Sequence, residues 1–221
     1  GLYNVYGGTT IIRDCIFERP TRANVSTGYS MYLSTGSTSC LIERNRVRNL
    51  FGGAPTSTSA CYALACIVSA TAGNENKFIN NLVSDINSSG TIYGLYLSGA
   101  GYVQAYHNTI SLDQTAATGT TTTYGVYATG TAGVDIRNNL VSLTRGGAGT
   151  KYCAYYSTIA GVTSNYNDFY LNSAAGTNYM AYDGVTSFAT LPAYQIGNPT
   201  KDQQSVSILP SFNNPGIQNY Q

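Results

Sequence analysis

One block recurs along this chain. An aromatic–small–aliphatic–tyrosine segment is followed, about twelve residues later, by Asn and an aliphatic pair. It reads Tyr93-Gly94-Leu95-Tyr96 with Asn108-Thr109-Ile110, and returns as Tyr124-Gly125-Val126-Tyr127 with Asn139-Leu140-Val141. A self-similar period of this length means stacked copies of one small unit, because each unit is too short to bury a core alone. The repeat therefore predicts a solenoid before any other property is considered.

The Asn column sets the register. Its members are Asp14, Asn45, Asn81, Asn108, Asn139 and Asn167, spaced 27 to 36 residues apart. Two positions later stands Ile16, Val47, Val83, Ile110, Val141 or Phe169. The intervening segments are short, β-branched or aromatic, and separated by Gly-, Thr- and Ser-rich stretches such as 52–59, 115–123 and 146–150. That pattern reads as strands and loops, with no sustained helical period. Wound as a coil, each strand lies about 4.8 Å from its equivalent in the next rung. Inward residues then stack like on like: Leu95, Val126 and Ala154 in one column, Val83, Ile110 and Val141 in another. An Asn at a corner can hydrogen-bond to the Asn above and below, and it tolerates left-handed backbone. We assign the six-member column this structural role.

A propeller blade needs four strands and about 40 to 50 residues, longer than this period. A hexapeptide coil would show a six-residue beat, which is missing. The expectation is an all-β, right-handed parallel β-helix of about six to seven rungs, counted from the blocks in the sequence.

The C-terminal segment carries a resemblance. Asn165-Tyr166-Asn167-Asp168-Phe169-Tyr170 is followed by Phe188-Ala189-Thr190-Leu191-Pro192-Ala193-Tyr194, Lys201-Asp202-Gln203-Gln204-Ser205 and Leu209-Pro210-Ser211-Phe212. These resemble the last-rung and closing motifs of secreted bacterial right-handed parallel β-helix repeat proteins of pectate-lyase-like architecture. Tyr194 stands where that family usually has Trp, and Leu209 where it usually has Asp. The resemblance implies the fold but not a reaction, since the family includes lyases, hydrolases, adhesins and proteins with no known reaction. On this reading residues 1–186 form the repeats and 187–221 a closing cap. Pro192, Pro199, Pro210 and Pro215 in the cap would stop ladder growth.

Composition narrows the function. Net charge is +1 across 221 residues, and 10% are charged. A nucleic-acid-binding stripe is therefore not expected; Arg44, Arg46 and Arg48 alternate along one strand and read as a solvated face. No transmembrane stretch or signal peptide is legible. The chain opens at Gly1-Leu2-Tyr3 in mid-repeat, so its first residue is expected to arise by processing or truncation. Five cysteines are present, an odd number, and a Cys61 bridge to Cys66 or Cys40 is one expectation. With one histidine and no CxxC spacing, neither a metal nor a cofactor is expected.

Catalytic chemistry finds little support. Of the ten acids, Asp85 and Asp113 alone approach one phase on neighbouring rungs, as a paired-carboxylate candidate. His107 falls in a column of polar residues (Arg13, Arg44, Asn80, Asn138, Tyr166) and has no carboxylate to orient it, so it reads as a surface residue. Tyr3, Tyr32, Tyr96, Tyr127 and Tyr155 are expected to point outward as a ladder, with Tyr93 and Tyr124 inward beside Leu95 and Val126. Such a ladder suits a protein partner or sugar rings. The expected function is a non-enzymatic, extracellular or cell-surface structural protein that associates with its own copies into a filament, sheath or layer. The alternatives are a carbohydrate-binding or polysaccharide-degrading module, and an adhesin fragment.

Overall fold

A computed structural model describes residues 3–5, 7–21, 26–130 and 132–212. Twenty strands and one helix, numbered in chain order, build a parallel β-helix with three sheets. The long sheet joins β1 (Tyr3–Val5), β4 (Gly28–Leu33), β7 (Cys61–Cys66), β10 (Ile92–Leu97), β13 (Thr123–Ala128), β16 (Lys151–Tyr156), β19 (Asn178–Tyr182) and β20 (Ser187–Phe188). The second sheet joins β2 (Ile11–Arg13), β5 (Leu41–Glu43), β8 (Asn76–Ile79), β11 (Val103–Tyr106), β14 (Val134–Arg137) and β17 (Val162–Asn165). The third joins β3 (Ile16–Glu18), β6 (Arg46–Leu50), β9 (Leu82–Ile86), β12 (Thr109–Leu112), β15 (Leu140–Leu143) and β18 (Asp168–Leu171). Every pairing between these strands is parallel except β19 with β20.

The coil makes about five turns, fewer than six to seven. The blocks in the sequence count strands, and six stacked strands enclose only five intervals. At the end the antiparallel β20 closes the long sheet instead of beginning another turn.

The core is a set of like-on-like columns. Met31, Leu64, Leu95, Val126, Ala154 and Ala181 align on the long sheet. Val47, Val83, Ile110, Val141 and Phe169 align on the third, and all five are fully buried. Each inward side chain lies over its equivalent at the strand spacing, so equivalent positions stay apolar along the coil.

The cysteine expectation is corrected: all five thiols are free. Cys61 and Cys66 sit at opposite ends of β7, five residues of extended chain apart, far beyond disulfide reach. Burial pushes the Cys61 thiol up to about 12 and the Cys66 thiol up to about 11, so both behave as small core hydrophobes. Cys15 is exposed.

The C-terminal segment folds over the last rung. Thr190 caps helix α1 (Leu191–Gly197), its side chain accepting from the Ala193 N–H, and Pro192 lies in the first turn. The fully buried Tyr194 packs edge-on against Phe188, with centroids 5.5 Å apart. Val206 then pairs with Asp168 as a parallel bridge, the Val206 N–H donating to Asn167 and the Phe169 N–H donating to Val206. The open edge of β18 is thereby occupied.

Candidate interaction face

Two ladders run along the coil, one inside and one outside. The inner one is polar. Asn45, Asn81, Asn108, Asn139 and Asn167 are buried, and each amide nitrogen of the first four donates to the next amide oxygen at 2.9 to 3.1 Å. Each nitrogen's other hydrogen goes to a backbone carbonyl: Ile12, Ile42, Phe78, Ala105 and Ile136 in turn. Each oxygen after the first also accepts the backbone N–H of the ladder residue one rung earlier. Two donors and two acceptor sites per interior amide are all used, the condition under which a buried polar group is tolerated.

Asp14 does not belong to this ladder. The backbone N–H that donates to the Asn45 oxygen is that of Cys15, at 3.1 Å. Asp14 occupies the preceding position, with a φ of 57°, in a column with Arg44, Asn80, His107, Asn138 and Tyr166, all left-handed at 53° to 58°. The corner's left-handed residue is therefore the one before the ladder residue. Asp14, not Arg13, shares the His107 column. In its exposed place Asp14 pairs with Arg44 at 2.8 Å, which holds its carboxyl below the usual range.

The cap ends the ladder chemically. The Asn167 backbone N–H donates to the Ser205 hydroxyl at 2.9 Å, and its amide nitrogen donates to Asp202 Oδ1 at 3.0 Å. Together these two side chains do what the next asparagine would do. Ser164 and Ser205 also donate to the same Asp202 oxygen. Asp202 is fully buried, and burial raises its carboxyl above the ordinary range against the pull of those donors.

The outer ladder lies on the long sheet. Tyr29, Tyr62, Tyr93, Tyr124, Tyr152 and Tyr179 form one column, with centroids 4.7 to 5.8 Å apart and planes within 22° of parallel. Tyr96, Tyr127, Tyr155 and Tyr182 form a second, at 4.5 to 5.2 Å. Tyr32 heads the second column, where Ala65 interrupts it between Tyr32 and Tyr96. Rings of different columns meet at 66° to 80°. Parallel rings at these spacings must slide into offset stacking to reach van der Waals contact. Two columns so inclined, and crossed nearly at right angles, make a herringbone. Ring faces are used up within it, and the rings lie on the outer side of the sheet, partly buried by one another.

Two expectations about this face are corrected. Tyr93 and Tyr124 point outward beside Tyr96 and Tyr127, because the strand does not alternate strictly. In β10 and β13 the pattern is in–out–in–in–out–in, with Gly94 and Gly125 as the extra inward residues. A Cβ on Gly94 would fall 2.4 Å from the Ile110 side chain, so the missing side chain lets the backbone approach the core there. Tyr3 pairs with Met31, not Tyr32, and so is out of register with the second column; its side chain lies outside the described atoms.

The face is neutral. No strand of the long sheet exposes a charged side chain among the described residues; Lys151 is 1% exposed. The Lys151 ammonium donates to the carbonyls of Gly147, Gly149 and Ala175 at 2.7 to 3.1 Å. Burial raises the hydroxyls of Tyr62, Tyr124 and Tyr127, Tyr124 to about 12, so the array stays uncharged through neutral pH.

Asp85 and Asp113 are placed differently in their rungs. Asp85 sits within β9 in left-handed backbone (φ 52°), bonded to Ser84, while Asp113 follows the end of β12 and accepts from Ser111. Asp85 precedes the inward Ile86 and Asp113 follows the inward Leu112. They do not share a phase. Among the described residues no group of three or more His, Cys, Asp or Glu side chains converges, and no helix is long and apolar enough to cross a membrane.

The chain matches no known family model, no curated protein and no solved structure.

Proposed function

We propose that this chain is an extracellular structural protein whose copies associate through the tyrosine face. One observation carries the reading: an uncharged herringbone of tyrosines on the outer side of an eight-stranded sheet. Aromatic residues with a polar tip suit protein interfaces. The other two sheets hold the surface ion pairs Arg13–Glu43, Arg48–Glu18 and Arg137–Asp135, and charged side chains are depleted at interface centres. A net charge of +1 leaves little repulsion between copies.

The face measures about 30 Å by about 20 Å from strand spacing and rise. Two such faces would bury roughly 1,200 Å², the lower end for a specific interface. Association through one face is thus expected to depend on concentration, and a filament, sheath or layer would need lateral repetition. A carbohydrate-binding reading draws on the same hydroxyls. It has less support, because rings stacked on one another offer no free face to a sugar.

The test is negative-stain electron microscopy of the native chain across a concentration series. Regular assemblies that vanish on replacing Tyr96, Tyr127 and Tyr155 by Ser support the proposal. Isolated short rods at every concentration would overturn it.

A further inference from the structure

A second surface feature lies on the far side of the molecule and is independent of the tyrosine face. A groove of about 320 Å³ follows the left-handed corner, lined by Arg44, Arg46, Asn80, Leu82, His107 and Thr109 beside the buried amides of the ladder. Its residues come from three successive rungs, a span of about 10 Å.

The carboxylates near the groove are already engaged. Asp14 holds Arg44 at 2.8 Å, and Glu43 bridges Arg13 and Arg44 at 3.1 and 3.2 Å. Glu18 holds Arg48 at 3.0 Å. Arg46 stands between Arg44 and Arg48 on the same face, is exposed, and has no carboxylate partner among the described residues. Across the groove the exposed His107 side chain is likewise without a hydrogen-bond partner among them. The groove thus gathers one unpaired guanidinium, one imidazole, the Asn80 amide and the Thr109 hydroxyl around a single concavity.

We infer that this groove binds a tetrahedral oxyanion, a sulfate or phosphate group, with Arg46 and His107 as its principal donors. Charge-assisted hydrogen bonds to such groups are the strong ones. The donors come from three rungs, and a carboxylate offers them two coplanar oxygens. A tetrahedral anion presents three or four oxygens. Leu82 supplies the one apolar wall.

Inorganic sulfate and dextran sulfate distinguish a free ion from an ester on a polymer. Each is titrated into the full chain by calorimetry, at ionic strength held constant with chloride. Saturable binding by either probe is expected, weakened about tenfold by Arg46→Ala and several-fold by His107→Asn, a residue that also accepts left-handed backbone. Arg48→Ala, which removes a carboxylate-paired arginine from the same sheet, should change affinity less than twofold. Thermal melts confirm that each variant is folded. Equal losses in Arg46→Ala and Arg48→Ala would mean diffuse charge attraction and would overturn the assignment. So would saturation by neither probe. Neither result bears on self-association, which is read from particle images.

Discussion

The asparagine ladder lies inside the coil and the tyrosine double column lies on its surface, yet both repeat one residue type at the strand spacing. They differ in what is left over. Each interior asparagine uses all its donors and acceptors within the molecule. Each tyrosine in mid-column uses both ring faces within the molecule but lies on the outer side of the sheet, only partly buried. A repeat can therefore serve stability where it is saturated and recognition where it is not.

The sharpest way to break this contrast is in the middle of the inner ladder. Asn108→Ala would orphan the Asn81 backbone N–H and remove one bond each from the Asn81 amide nitrogen, the Phe78 carbonyl and the Asn139 oxygen. An unmet buried group costs about 1–3 kcal/mol and each further lost hydrogen bond about 1 kcal/mol, so a loss of at least about 3 kcal/mol is expected. Urea unfolding should detect it, and the melting temperature should fall by roughly 6–12 °C.

Tyr124→Ala is expected to cost less, about 2 kcal/mol. It removes stacking on Tyr93 and Tyr152, and aromatic pairs contribute about 0.5–1.5 kcal/mol each. A loss equal to that of Asn108→Ala would erase the distinction between the ladders.

Asp202 tests the point where the inner ladder stops. Its folded pKa is raised, so the charged form opposes folding. Its contribution to stability is greatest below the unfolded value near 4 and falls as pH rises through the folded value. Asp202→Asn keeps an oxygen for the ladder and removes the charge. Stability of this variant at pH 7 should equal or exceed that of the parent, with the fall between acid and neutral pH flattened in urea titrations at several pH values. A steeper fall would contradict the account.

The smallest stability effect is expected from Tyr127→Phe. It leaves the stacking on Tyr96 and Tyr155 intact, so stability should change by less than about 0.5 kcal/mol. If hydroxyls of the face bond across a copy-to-copy interface, sedimentation velocity should show association weakened about fivefold, in line with one lost hydrogen bond.

Much of this architecture was legible in the chain. Asn45 to Asn167 and the columns through Leu95 and Ile110 were readable because a coil forces equivalent positions into contact, and contact selects like residues. Three features were harder to read. Asp14 is a polar residue one place before the ladder, and Cys15 hid the true position because its contribution is a backbone N–H, which any residue but proline has. The outward direction of Tyr93 was masked by Gly94, whose inward placement breaks the period of two. The Asp202–Ser205 terminator was visible as a motif, but its role depends on long-range contact with Asn167, 35 and 38 residues away. Arg46 looked like its neighbours, since only the pairing of the surrounding carboxylates sets it apart.

The ladder amides also share a sense. Each of the first four nitrogens sends one hydrogen to the later rung, and every oxygen that accepts it faces the earlier one. Their dipoles add head to tail, so the column has a positive pole at the C-terminal end of the coil, much as a helix has one at its N-terminus. Asp202 sits at that pole and accepts from the last ladder nitrogen, as the oxygen of a further asparagine would. The rod is electrically directional along its interior, and the cap supplies the acceptor in which that direction ends.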